Sequence, residues 1–277
     1  MISNSKTTTP TLSNRHWSKS LLNFSVQFWF IIAVLGQWIF AFYVAAFYGG
    51  AVMEGDFMRW NRVLPHGYVE GQTMGNLAVA IHLLFAVIVM AGGPIQFVPQ
   101  LRKFAPKFHR WNGRFYLGAA VLISLSGVYM VITKGTISGL VGDISVCLNG
   151  VLILVFAYLT VTNAIKRRFD AHRKWALRLF LVMAGVWFFR VGLMFWLFIN
   201  KGPVGFDPET FRGPFLVFLG FGQYLIPLAI VELYFLAQRQ KQMGIKIFAA
   251  ITLLIFTAIT ALGTFAATMG MWLPRIS

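Results

Sequence analysis

Two segments of this chain set the same reactive side chains at the threshold of a long apolar run. KFHRWNGRFYL covers residues 107–117 and DAHRKWALRLFL covers 170–181, and each offers His-Arg, a Trp and a second Arg. Neutral imidazole is a metal ligand, and guanidinium is a two-point partner for carboxylate or phosphate. Pro106 suits the first turn of a helix and Asp170 suits an N-cap, so His109 and His172 are each expected in a first helical turn. The positive end of a helix disfavours imidazolium and keeps both rings competent to ligate. Arg110, Arg114, Arg173 and Arg178 beside them would attract an anion such as a haem propionate, a phosphate or a carboxylate. A site shared by His109 and His172 is one reading. The other is an ordinary inner interface, where basic and aromatic residues gather on any multi-span protein.

Polar groups inside apolar runs are costly and usually functional. Arg190, in VWFFRVGLMFW, follows His172 by 18 residues, five helical turns, which predicts one shared face with Leu179 and Met183 between them. A structural Arg snorkelling to the interface is the alternative. His82, in LAVAIHLLFAVIVMAGGPIQF, reads as a buried histidine satisfied by a neighbouring hydroxyl or carbonyl, or else as a ligand. Gly92, Gly93 and Pro94 then bend or break its helix. Glu232, in PLAIVELYFLAQRQ, lies at the depth of His109 and His172, where it can join them on a metal, accept a proton, or pair with Arg114 or Arg178. Gly113, Ala120, Ser124 and Gly127 form a small-residue stripe that close helix packing explains.

What must position these residues is a bilayer. Of 277 residues, 58% are hydrophobic and 12% charged, against about 25% charged in soluble domains. A net charge of +16 suggests nucleic acid until the charges are located. They fall in short segments between apolar runs, so the acidic partner is the lipid surface and not nucleic acid. Cys147 is the only cysteine, which excludes an intramolecular disulfide and a cysteine-based metal cluster. Runs 24–48, 75–98, 112–133, 139–165, 174–199, 213–237 and 245–272 can each cross a hydrocarbon core. None alternates as a barrel strand would, so the expected fold is all-α, a polytopic transmembrane helix bundle of about seven spans.

Residues 1–23 read as a polar N-terminal tail, 24–272 as the membrane domain with a retained first anchor, and 273–277 as a short outer tail. Seventeen Lys and Arg fall in the N-terminal tail and the second, fourth and sixth connections, against six in the others. That bias predicts an N-terminus inside and a C-terminus outside the inner (cytoplasmic) membrane. Trp17, Trp60, Trp111, Trp175 and Trp272 are expected in an aromatic belt. The outer connections 49–74 and 200–212 are rich in Gly and Pro, and form either a lid over the bundle or ordinary solvated loops.

His82, GGPIQFVPQLR, HRWNGRFY, HRKWALR with Arg190 downstream, and Glu232 together resemble a family of predicted bacterial membrane proteins known only as a domain of unknown function. The resemblance covers about residues 75–237 and implies a multi-pass bacterial membrane protein without naming an activity. A weaker similarity is to transmembrane b-type cytochromes of the ascorbate-reducible kind, in which spans two and four hold one haem and spans three and five the other. His109 and His172 match the second pairing. Span four has no histidine, so His82 lacks an axial partner, and the similarity implies at most one bis-histidine haem, at the inner side.

Three classes of function follow. One is a redox or electron-transfer protein, with one b-type haem or another metal held by His109 and His172 and tuned or ligated by Glu232, exchanging electrons with a quinone or a membrane partner. The second is a transporter or handler of a small anionic or amphipathic molecule, with the basic doorway as its inner mouth and Arg190 as its interior charge. The third is an accessory or scaffold protein without chemistry. No nucleotide loop, nucleophile elbow, paired-carboxylate motif or zinc-protease motif is present. On sequence the redox reading leads.

Overall fold

The computed structural model describes residues 12–64 and 66–276. Among these, six helices are long and apolar enough to cross a membrane: His16–Met53, Thr73–Phe97, Pro106–Lys134, Gly139–Ile165, Pro214–Arg239 and Met243–Ile276, here spans one to four, six and seven. Phe169–Met183 and Gly185–Asn200 pass the same test only together, as a fifth span bent by 53°. The only strand-like pairing among the described residues is a bridge between Asp207 and Arg212. The chain is a multi-pass helical membrane protein. Its first helix begins at Leu12, so part of the expected tail is continuous with span one, while Lys6 lies outside the described residues.

Span one lies along span seven, which also packs on the half of span five after its bend. That end of the bundle is named outer, and the opposite end inner, after the orientation expected from the basic bias. Span two packs on three, three on four, and four on the inner half of five; span six closes against four, five and seven. Lipid is as apolar as the helices, so close packing rather than hydrophobicity joins them. Ala120 and Ser124 are buried, and a Cβ on Gly127 would sit 3.2 Å from the His82 ring. A Cβ on Gly263 of span seven would strike the Val191 carbonyl and approach Val191 Cγ1 to 2.7 Å. Ile31, Phe42, Leu125, Ile132, Tyr158 and Phe265 point outward and are exposed, as a lipid-facing surface requires.

Two spans are broken, and each break is repaired by a side chain from a neighbour. In span two the α-helix ends at Gly92 and a 3-10 turn follows at Pro94–Phe97, since Pro94 has no N–H to continue the ladder. The Ala91 and Gly92 carbonyls at this change accept from Trp38 Nε1 (3.2 Å) and Asn112 Nδ2 (3.4 Å). Gly93 is required there, because a Cβ would lie 2.7 Å from the Val89 carbonyl and 2.9 Å from the Tyr116 ring. Span five bends at Ala184 without a proline, and Asn149 of span four donates to the Val182 carbonyl at 3.2 Å.

The connection after span one is an ordered cap. Asp56 accepts from the Arg59 N–H and opens the short helix Phe57–Arg62. Asn61 exchanges two bonds with the backbone of Tyr68, and Asn76 two with that of Val69. Lys134 at the end of span three donates to the His66 carbonyl at 2.6 Å. Trp60 and Trp272 are 4% and 1% exposed. They are core residues of this outer end and not belt residues, because neighbouring rings cover them. Trp17 and Trp111 are exposed, as a belt expects.

Candidate functional site at an inner doorway and an outer cleft

Pro106 opens the span-three helix, and His109 lies in its first turn as expected. The span-five helix begins at Phe169 after Arg168, so Asp170 sits inside the first turn and not at the cap, and no side chain caps this end. Its negative charge is still favourable in that turn. His172 Nδ1 lies 3.0 Å from the Thr160 carbonyl. A carbonyl only accepts, so Nδ1 is the donor, and Nε2 is left outside this bond. The His109 ring has no hydrogen-bond partner among the described residues and lies within electrostatic range of His172, Arg102 and Arg110. One ring is thus anchored and the other free, with an electrostatic interaction between them.

The remaining doorway residues have separate structural tasks. Arg178 grips Glu232 through Nε–Oε1 (2.6 Å) and Nη2–Oε2 (2.9 Å), while its guanidinium covers the rings of Trp175 and Phe235. Both carboxylate oxygens of Glu232 are thus engaged. Among the described residues no three His, Cys, Asp or Glu side chains converge as a metal cage needs, so His109, His172 and Glu232 are not assembled as a three-donor set. Arg114 stacks on Trp111, and Arg110 and Arg173 are exposed without a carboxylate partner among the described residues.

His82 Nδ1 lies 3.2 Å from Ser126 Oγ, which gives its own proton to the Leu122 carbonyl at 2.7 Å. The hydroxyl is thus the acceptor, and His82 is a histidine satisfied within the helix pair. The shared face expected for His172 and Arg190 is not formed. Leu179 and Met183 between them are buried, but the 53° bend intervenes: His172 turns to span four and Arg190 to span one, over the Phe40 ring at 5.4 Å.

Arg190 donates to the Val186 carbonyl of its own helix at 3.2 Å and makes no ion pair among the described residues. It lines a cleft of about 350 Å³ between spans four, five and six, together with Arg212, Ser145 and Gln223. Arg190 lies ten positions before Asn200 at the end of its helix, about 15 Å along the helix axis. His82, across the interior, is within electrostatic range. Sequence reasoning singled out Arg190 but missed Arg212, Gln223 and the cleft. The available signal was Gln223, an amide within an apolar run. A shallower outer hollow of about 380 Å³ beside Gly71 and Tyr129 has Lys134 as its cation, and that lysine is already bonded to His66.

No curated protein and no solved structure matches the chain, and the similarity to b-type cytochromes is not shown. A family model does match, over a narrower stretch than the expected 75–237, and it stops before span six and Glu232. Residues 79–207, which hold His82, both His-Arg segments and Arg190, match the family described as predicted membrane protein, DUF2306.

Proposed function

We propose that this protein binds and handles a small anionic or amphipathic molecule within the membrane, with Arg190 as the recognising charge. The observation that carries this reading is the guanidinium itself. Arg190 lines a cleft, and its guanidinium lies over the Phe40 ring, has no carboxylate among the described residues, and gives a hydrogen bond only to its own helix. Taking such a charge out of water costs several kcal/mol unless it is paired. A carboxylate or phosphate supplies both the countercharge and two acceptors for the guanidinium fork. Titration of the purified protein with carboxylate- and phosphate-bearing amphiphiles tests this. The wild type should bind, and Arg190→Gln should bind about tenfold more weakly or worse. Equal binding by both would overturn it.

A second reading, a redox centre at the inner doorway, is favoured by one specific observation. The Nδ1 anchor of His172 on Thr160 leaves Nε2 free, the arrangement that metal-bound histidines use. His109 and His172 would hold a haem or other metal, Arg110, Arg114 and Arg173 would attract propionates, and the group would supply electron transfer to a quinone or membrane partner. Ala119, Ala120, Ile153, Leu179 and Val182 close the interior beyond the histidines, which confines a macrocycle to the inner rim. Protein from haem-replete cells should then show a Soret band that shifts with dithionite, or a stoichiometric metal. His109→Ala and His172→Ala should each remove it and His82→Ala should not. A featureless spectrum without metal ends this reading.

A further inference from the structure

The walls of the Arg190 cleft indicate where its occupant comes from. Val141, Val186 and Val217, on spans four, five and six, line it and are 41%, 44% and 43% exposed. Apolar side chains exposed within membrane-crossing helices face acyl chains, so this side of the cleft opens to lipid. At the outer end Arg212 reaches across from the loop before span six, its guanidinium 3.2 Å from where a Cβ on Gly139 of span four would be. Deeper in, Gly220 and Ser145 draw spans six and four together, with 3.2 Å between the Gly220 Cβ position and Ser145 Oγ. The cleft is therefore bridged by one cation at its mouth, is lined by a second about 15 Å along the span-five helix from its end, and is apolar along its open side. Gln223, also lining it, spends one amide N–H on the Gly220 carbonyl and has a second to offer.

A fully hydrated ion gains nothing from the apolar side. An acyl-chain anion does, because its chain stays in the bilayer and only its head needs partners. We propose that the cleft admits an anionic lipid, a carboxylate or phosphate head on an acyl chain, sideways from the leaflet that Arg212 faces. The head passes from Arg212 to Arg190 while the chain remains in lipid. This rests on the reading of Arg190 as an anion-binding charge.

Native mass spectrometry of the full chain in mild detergent, with added oleate, phosphatidylglycerol, phosphatidylcholine, acetate or inorganic phosphate, tests the proposal. Oleate or phosphatidylglycerol should bind at least about tenfold more tightly than acetate, phosphate and phosphatidylcholine. The tighter of the two identifies the head as carboxylate or phosphate. Arg190→Gln and Arg212→Gln should each weaken that binding. Val217→Trp, and independently Val141→Trp from the opposite wall, should weaken the acyl-chain anion about tenfold while leaving the response to inorganic phosphate unchanged. If acetate or phosphate binds as tightly as oleate and neither Trp variant matters, sideways admission is wrong and the anion site at Arg190 stands. If phosphatidylcholine equals phosphatidylglycerol and oleate binds no better, head charge is irrelevant and the proposal fails. If Arg190→Gln changes no ligand, both readings fall.

Discussion

Arg178 and Glu232 join the inner half of span five to span six through a two-point fork, with Nε–Oε1 at 2.6 Å and Nη2–Oε2 at 2.9 Å. The two ends are unequally sheltered: the Arg178 side chain is 16% exposed and that of Glu232 is 51% exposed. The fork is therefore worth less than its geometry suggests, because water screens the carboxylate.

That asymmetry predicts unequal costs. Glu232→Gln should destabilise by about 1 kcal/mol. Arg178→Ala also strips the guanidinium from Trp175 and Phe235 and should cost about 2 kcal/mol. Unfolding temperatures in detergent, with the double variant closing the cycle, measure both. Equal losses would show that the ring contacts contribute nothing.

Arg190→Leu should behave in the opposite way to a core lesion. Removing an unpaired guanidinium from the bundle relieves desolvation, so stability should hold or rise by about 1–3 kcal/mol while anion binding disappears. A large fall in yield and unfolding temperature would instead show that its stack on Phe40 supports the fold.

The orientation is open to direct measurement. In a Cys147→Ser background, single cysteines at Phe104 and Glu209 occupy exposed positions at opposite ends of the bundle. An impermeant maleimide added to intact cells should label position 209 and spare 104, following the basic bias of the inner connections. The reverse pattern would invert the topology.

Acid should loosen the outer loop before the bundle. The Glu209 N–H and the Thr210 hydroxyl both donate to Asp207 at 2.9 Å, and these bonds, the first foremost, hold its carboxyl below the usual range. A carboxyl depressed on folding contributes stability above its unfolded pKa of about 3.9. That contribution is lost as pH falls through the lower folded value. Amide protection factors over residues 200–212, exchange rates taken relative to the intrinsic rate at each pH, should fall in that acidic window. In Asp207→Asn the protection factors should already be lower at neutral pH and nearly flat with pH.

The seven apolar runs were readable because a hydrocarbon core demands length and hydropathy, and both are local properties of the chain. The bend at Ala184 was not, since no proline marks it and its support, Asn149, lies on another span. That single omission undid the expected stripe from His172 to Arg190, because helical phase does not carry across a 53° turn. Depth alone correctly put Arg178 among the partners of Glu232, since both lie near inner helix ends. Depth also misplaced Trp60 and Trp272, because proximity to an interface does not say whether a ring faces lipid or its neighbours. The repeated His-Arg segments resolve into unlike parts. Asn112 of the first mends the break in span two, and Arg178 of the second ties span five to six. The cleft draws on three spans and two loops, so no spacing within one helix could reveal it.

The depth of Arg190 has an electrical consequence. About 15 Å along the helix axis from its end is at most about half of a hydrocarbon core about 30 Å thick, reached when that axis follows the membrane normal. An anion seated there has crossed up to about half of the transmembrane field, worth up to about 1 kcal/mol per 100 mV for one charge. Occupancy would then change by up to about sixfold per 100 mV. In vesicles holding the protein in one orientation, potassium diffusion potentials of opposite sign should fill and empty the site, and indifference to voltage would place Arg190 outside the field. The energised state of the membrane would thus set how much ligand this chain holds.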